Sequence, residues 1–285
     1  MTSRIPPLLE PYVRIPDYND FVFLTSVLGA STNWLVLRFL YNALSSPSIE
    51  GQHDFNVVLV SFMRDFEFWK ESARRVGIDL PRQAHRNRFS FIDGLSRLCL
   101  NDEGISWRDD KGDGSNIGPQ KTLRSPQMDK AETEIKAELS RLTADGKRVL
   151  LVLDQPDLLL AVSGEENGAT AMLEWILDLR EAAHSTIITA AADYPLVQTS
   201  VTPLESNHAA FVTSLIHQAK YTMSLRLLDT GTAKDVSGVV RVTLGPADIA
   251  EEGKDMDSKA IEEKELLYFV GGDGAVNVFE RGHQQ

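Results

Sequence analysis

The residues best placed to do chemistry are Thr25-Ser26-Val27-Leu28-Gly29-Ala30-Ser31-Thr32, directly after a β-rich run and directly before a helical one. A turn from a parallel strand into a helix is where backbone N–H groups and a helix N-terminus can hold a phosphate. A working loop of this kind reads GxxxxGK followed by Ser or Thr. Its glycines let N–H groups converge, its lysine neutralises the terminal phosphates, and its hydroxyl takes magnesium. With Thr32 at the hydroxyl position, Ser31 stands at the lysine and Ala30 at the glycine; with Ser31 there, Ala30 stands at the lysine. Neither register supplies a cation, Val27 and Leu28 take space a phosphate would need, and the nearest basic side chain, Arg38, lies two turns along the helix. Leu28, Gly29, Ala30, Ser31 and Thr32 are therefore read as a degenerate phosphate loop that holds no nucleotide.

Val149 to Asp154 is an apolar strand ending on a carboxylate, like the second half of an ATPase site, where such an Asp holds the water shell of magnesium. Strands also end on Asp merely because a turn follows, and Pro156 comes next. Asp154 is read as a degenerate second motif. The remaining constellations point to no catalytic residue, metal or cofactor. The six histidines show no HExxH-type spacing, Cys99 is the only cysteine, and no GxSxG elbow exists. Gly112, Gly114 and Gly118 come near a dinucleotide fingerprint but have no strand before them. The one local cationic group is Arg82, Arg86 and Arg88 with His85 between, the best candidate for RNA contact, against a solvated turn as the plainer reading.

The elements that must position these groups alternate. Strands are expected at Phe21–Leu28, Val57–Met63, Arg88–Ile92, Val149–Leu153 and Thr186–Ala191. Helices are expected from Ser31 or Thr32 to Ser45, after Asp65 to Gly77, and over Gln127–Thr143, Thr170–Ala183 and Leu204–His217. Strand–helix alternation through residue 190 implies a mostly parallel sheet with helices on both faces. Tyr221–Leu228 and Gly238–Leu244 alternate like antiparallel edge strands, and Leu266–Val270 with Ala275–Phe279 read as a C-terminal hairpin and tail over 266–285. Residues 1–20, with four prolines, read as an extended arm, about 101–126 as a mobile loop, and 246–265 as an acidic solvated loop; 21–245 is the main domain. The helix at 32–44 is apolar almost all round, interrupted only by Arg38 and Asn42, so it needs cover beyond the sheet, from this chain or from a partner.

The chain has 285 residues, 42% hydrophobic, with a formal net charge of −12. A single α/β domain fits the length, and so acidic a chain gains nothing on average from displacing counterions on a nucleic acid. No run reaches the ~20 apolar residues a membrane span needs, and the N-terminus lacks a signal-peptide core. A single cysteine suits a reducing compartment, the cytoplasm with the nucleus as the second choice.

FVFLTSVLGASTNWLVLRFLYNAL, VVLVSFMRDFEFWKESARRVGIDL and VLLVLDQPDLLLA together resemble the subunit-six family of the Elongator complex, in its fungal form; the likeness covers most of residues 10–230 and is most specific over Ser61–Leu80. The resemblance implies a RecA-like fold without intact nucleotide motifs. It also implies a six-membered ring with two paralogues, Elongator subunits four and five, that binds tRNA and supports wobble-uridine modification by a larger catalytic subcomplex. In such rings the loops after the fourth and fifth sheet strands face the central opening; here those are 155–169 and 192–203, and neither holds a Lys or Arg. Two enzyme readings stand beside it. One is a small active ATPase or kinase with a deviant phosphate loop. The other, a Rossmann-like methyltransferase, is disfavoured by the single glycine after the first strand.

Overall fold

Val22 and Leu24 of β1 (Phe21–Ser26) are buried in one apolar layer, Phe21 and Phe23 in the other. The same alternation divides Val57 and Leu59 from Val58 and Val60 in β2 (Phe55–Ser61), and Leu150 and Val152 from Leu151 and Leu153 in β5 (Arg148–Asp154). Successive strand side chains point to opposite faces, so an unbroken apolar run means cover on both. The structure, a computed structural model, describes residues 5–45, 55–97, 120–123, 125, 127–144, 146–162, 168–198, 201–228, 231, 233–246 and 261–280. Most of the expected mobile loop with its glycines, Cys99, most of the acidic loop and the last five residues lie outside them.

The remaining strands are β3 (Phe89–Asp93), β4 (Gln120–Thr122), β6 (Ser185–Ala191), β7 (Tyr221–Arg226), β8 (Gly238–Leu244), β9 (Lys264–Val270) and β10 (Val276–Glu280). They form one sheet in the order β10-β9-β8-β7-β1-β6-β5-β2-β3-β4. From β7 to β4 all neighbours are parallel, and β8, β9 and β10 extend one side antiparallel. One face is covered by α1 (Asn33–Ser45), α2 (Phe66–Arg75) and α3 (Leu80–His85), the other by α4 (Met128–Thr143), α5 (Leu158–Val162), α6 (Ala169–Glu181) and α8 (Pro203–Gln218). A short α7 (Tyr194–Gln198) leads into α8. Local chemistry sets the ends: Asp65 caps α2 by accepting from Phe68 N, Gly77 past its end takes φ +84°, and Thr202 with Glu205 forms a capping box on α8.

Several expectations are corrected. β7 pairs with β1 in parallel, not antiparallel: α8 carries the chain back across the sheet before β7 begins, and side-chain alternation is blind to strand direction. Gln120–Thr122, inside the expected mobile loop, is a strand on β3. Residues 5–20 of the expected arm are not extended throughout. Leu9 N–H reaches Pro6 O at 2.9 Å and Val13 N–H reaches Leu9 O at 3.1 Å, in compact turns that bury Leu9, Tyr12 and Val13. This segment covers α1: Asn42 Nδ2 donates to Val13 O at 2.9 Å, and Trp34 stacks on Tyr268 of β9 with centroids 4.8 Å apart. The apolar helix is thus covered by its own chain. The β9–β10 hairpin is antiparallel as expected and continues the sheet beyond β8. The helices α3, α5 and α7, of five or six residues, are too short to show a period in sequence.

Candidate functional site

Parallel strands end together along one edge, and the turn after β1 opens there. Val27 and Ala30 close it as a tight bridge, with Ala30 N–H on Val27 O at 2.9 Å and Gly29 at φ +91°. Glycine supplies that left-handed backbone without strain. A Cβ at Gly29 would stand 3.4 Å from Leu227 Cδ1, just beyond β7. The turn is therefore closed on itself between Val27 and Ala30. Its outward N–H, from Leu28, donates to Asp193 Oδ1 at 2.8 Å, so a carboxylate of the same chain sits where an anion would. Ser31 Oγ accepts from Asn33 N–H at 3.2 Å, and the carbonyl of buried Thr32 accepts from Leu35 and Val36 at 2.9 and 3.0 Å. A phosphate oxygen brought to ~4 Å of Asp193 would be repelled by roughly 4 kcal/mol per charge pair at an effective dielectric of ~20, with no lysine to offset it.

Asp193 escaped sequence reading because it lies 165 residues from Leu28; only the β1–β6 pairing brings them together. The available signal was the position, an acidic residue two past an apolar strand.

Asp154 ends β5 as expected but is buried and enclosed. Ser61 Oγ donates to its Oδ2 at 2.7 Å and Thr189 Oγ1 to its Oδ1 at 3.0 Å, tying together the ends of β2, β5 and β6. Gln155 N–H holds Thr189 Oγ1 at 2.9 Å, and Arg64 N–H holds Ser61 Oγ at 3.0 Å. Burial pushes its carboxyl up, against the two hydroxyl bonds and the charge of Arg64. Close by, Asp157 is also buried, and its Oδ2 accepts from Ala191 N–H at 3.1 Å. Burial raises it to about 6, opposed chiefly by His208, which itself bonds Ala191 O at 2.8 Å. These carboxylates lock strand ends together.

The basic group does not stay together. Arg88, half-buried, gives Nη1 to Leu44 O at 3.0 Å and Nη2 to Ala43 O at 3.3 Å and Phe55 O at 3.4 Å. It caps the C-terminus of α1, where free carbonyls and the helix dipole favour a cation. Arg82, His85 and Arg86 are exposed on and after α3. Among the described residues, no group of three or more His, Cys, Asp or Glu could hold a metal, and no helix is long and apolar enough to cross a membrane.

The family model for Elongation complex protein 6 matches residues 48–264. The chain is 22% identical to Elongator complex protein 6 of Xenopus laevis, over 88% of this chain and 97% of the frog protein. It is likewise 22% identical to the Saccharomyces cerevisiae protein, over 86% and 77%, and to the Schizosaccharomyces pombe homolog, over 96% of each. Equal identity to frog and yeasts favours no lineage. Among solved structures it is similar to a KaiC-like protein of the hyperthermophilic archaeon Pyrococcus horikoshii, with a TM-score of 0.60 over 98% of both chains at 14% identity. That likeness establishes the RecA-like fold.

Proposed function

Because the chain belongs to the Elongation complex protein 6 family, we propose that it serves Elongator as a non-catalytic RecA-like subunit of a heterohexameric ring. In this reading its partners are Elongator subunits four and five, and the ring supports tRNA binding and wobble-uridine modification by the catalytic subcomplex, in the cytoplasm and also the nucleus. The observation that carries the non-catalytic part is the Asp193 carboxylate on the Leu28 N–H. It fills the anion position of the turn with a negative charge, and residues 25–32 offer no cation against it. Asp154 adds to this, since it is buried and accepts from the hydroxyls of Ser61 and Thr189, which tie it into the strand ends. With a net charge of −12, most phosphate contacts to tRNA fall to the paralogues.

Calorimetric titration of the purified chain with magnesium and ATP tests the reading directly. No binding heat is expected up to millimolar nucleotide; micromolar affinity would overturn it in favour of a small ATPase or kinase. Mass measurement of the complex drawn from its native cell is expected to return a six-membered assembly with two paralogues.

A further inference from the structure

Two polar residues interrupt the apolar helix α1, and the chain satisfies only one of them. Asn42 finds Val13 O at 2.9 Å, whereas Arg38, only 2% exposed, makes a single hydrogen bond, from Nη2 to Gly274 O at 3.2 Å. Its Nε and Nη1 are buried and, among the described residues, have no hydrogen-bond partner. Burial lowers the guanidinium only to about 10, so it stays charged at neutral pH. A buried ion without a counter-ion is among the costliest groups a fold can carry. Arg38 lies against the tip of the β9–β10 hairpin, Gly271-Gly272-Asp273-Gly274. The tip closes on itself, with Gly271 N–H on Ala275 O at 2.8 Å and Gly274 N–H on Gly271 O at 3.0 Å. The bond from Arg38 is, among the described residues, its one hydrogen bond to the helices beneath. The tip's own acid is turned away, since Asp273 Oδ1 accepts from Ala275 N–H at 3.0 Å. A second cation flanks the tip: a Cβ at Gly274 would stand 3.3 Å from Cβ of the exposed Arg75.

We propose that Arg38 is a binding site for a carboxylate of a protein partner, an acidic side chain that enters beneath the glycine tip of the β9–β10 hairpin and pairs with the guanidinium. The chemistry and the access route both select this occupant. A guanidinium with open N–H groups matches a planar carboxylate, and the pair is strong where water is excluded. Three of the four tip residues are glycine, which lets the backbone turn aside at little cost. A single side chain fits under so narrow a cover, whereas a nucleic-acid strand brings a sugar on either side of each phosphate. Arg75 adds positive potential at the entrance, on a chain whose net charge is otherwise −12. The charge that weakens the isolated fold is thus offset when the partner's carboxylate arrives, and this holds whether or not the chain enters a ring.

Arg38→Met, which fills similar space without charge, gives the first test on the full chain. Its Tm in thermal unfolding at pH 7 is expected to rise by about 2–5 °C. A lower Tm would mean that the chain satisfies Arg38 by itself, and would overturn the site. Poly-L-glutamate is the probe for the occupant. At low salt it is expected to raise the Tm of the wild-type chain and to change amide exchange at Gly271 and Gly274 severalfold, and to do neither in Arg38→Met. Arg14→Ala, which removes an exposed cation elsewhere, is expected to keep both responses. No response in the wild type, an equal response in Arg38→Met, or an equal loss in Arg14→Ala would overturn the proposal. Inorganic phosphate that reproduces both responses would assign Arg38 to a free anion. Binding of tRNA that Arg38→Met abolishes would assign it to a nucleic acid, and either result overturns the carboxylate.

Discussion

Replacing Arg88 with alanine should cost stability and leave the exposed Arg82 and Arg86 undisturbed. Its guanidinium makes one good bond, to Leu44 O at 3.0 Å, and two long ones, to Ala43 O at 3.3 Å and Phe55 O at 3.4 Å. A charged donor on a carbonyl contributes about 1.5–3 kcal/mol, a stretched bond much less, and a cation at a helix C-terminus about 0.3–1 kcal/mol. Solvent at this half-buried site replaces part of the loss, which leaves about 2–3 kcal/mol for Arg88→Ala. For a chain of this size that lowers Tm by roughly 3–5 °C. Arg88→Lys should recover about half, since an ammonium keeps the charge at the helix end but cannot span several carbonyls as the planar fork does. Urea and thermal unfolding of the full chain measure all of this, with Arg82→Ala and Arg86→Ala as exposed comparisons expected within ~0.5 kcal/mol of wild type. Arg88→Ala with unchanged stability, coupled to lost tRNA affinity in the ring, would refute the capping role.

Arg82 and Arg86 carry what is left of the RNA candidate. Removing both in the assembled ring should weaken tRNA binding modestly and lower the log–log salt slope by up to about one unit per lost phosphate contact; unchanged affinity and slope would make α3 a solvated turn. Glu138 gives a pH test. Its side chain is buried in α4, which by itself raises its carboxyl, but bonds from Arg141, Lys121 and Ser90 outweigh burial and hold it at about 2. Because the folded value lies below the ordinary ~4.3, the stabilisation is fully present above about pH 4.3 and is lost as pH falls toward 2. Glu138→Gln should therefore be less stable at pH 7 and should flatten the acid limb between those values, read by urea unfolding at several pH values; an unchanged acid limb would refute the assignment.

The sequence by itself determined the parallel core, the missing lysine and the family. Runs such as VVLVS and VLLVLD, short and rich in β-branched residues, read as strands covered on both faces, because an unbroken apolar stretch has no side to give to water. A lysine absent from residues 25–32 is absent in any fold, so that feature of the turn needs no coordinates. Capping was legible too: Asp65 and Gly77 act on neighbours within a few residues. Only the tertiary structure decided what the groups at the site do. Arg88 reads like Arg82 and Arg86 in sequence, yet β3 carries it beside the end of α1, where carbonyls claim it. The apolar α1 could have been covered by a partner, and its own N-terminal turns and the β9–β10 hairpin cover it instead, a contact 250 residues apart at Tyr12 and Glu262. Asp193 reaches Leu28 solely because β6 lies beside β1. Propensity and periodicity act over one turn of helix or a few strand residues. Strand order and direction bring distant residues together, and in this chain they placed the Asp193 carboxylate on the backbone of the turn after β1.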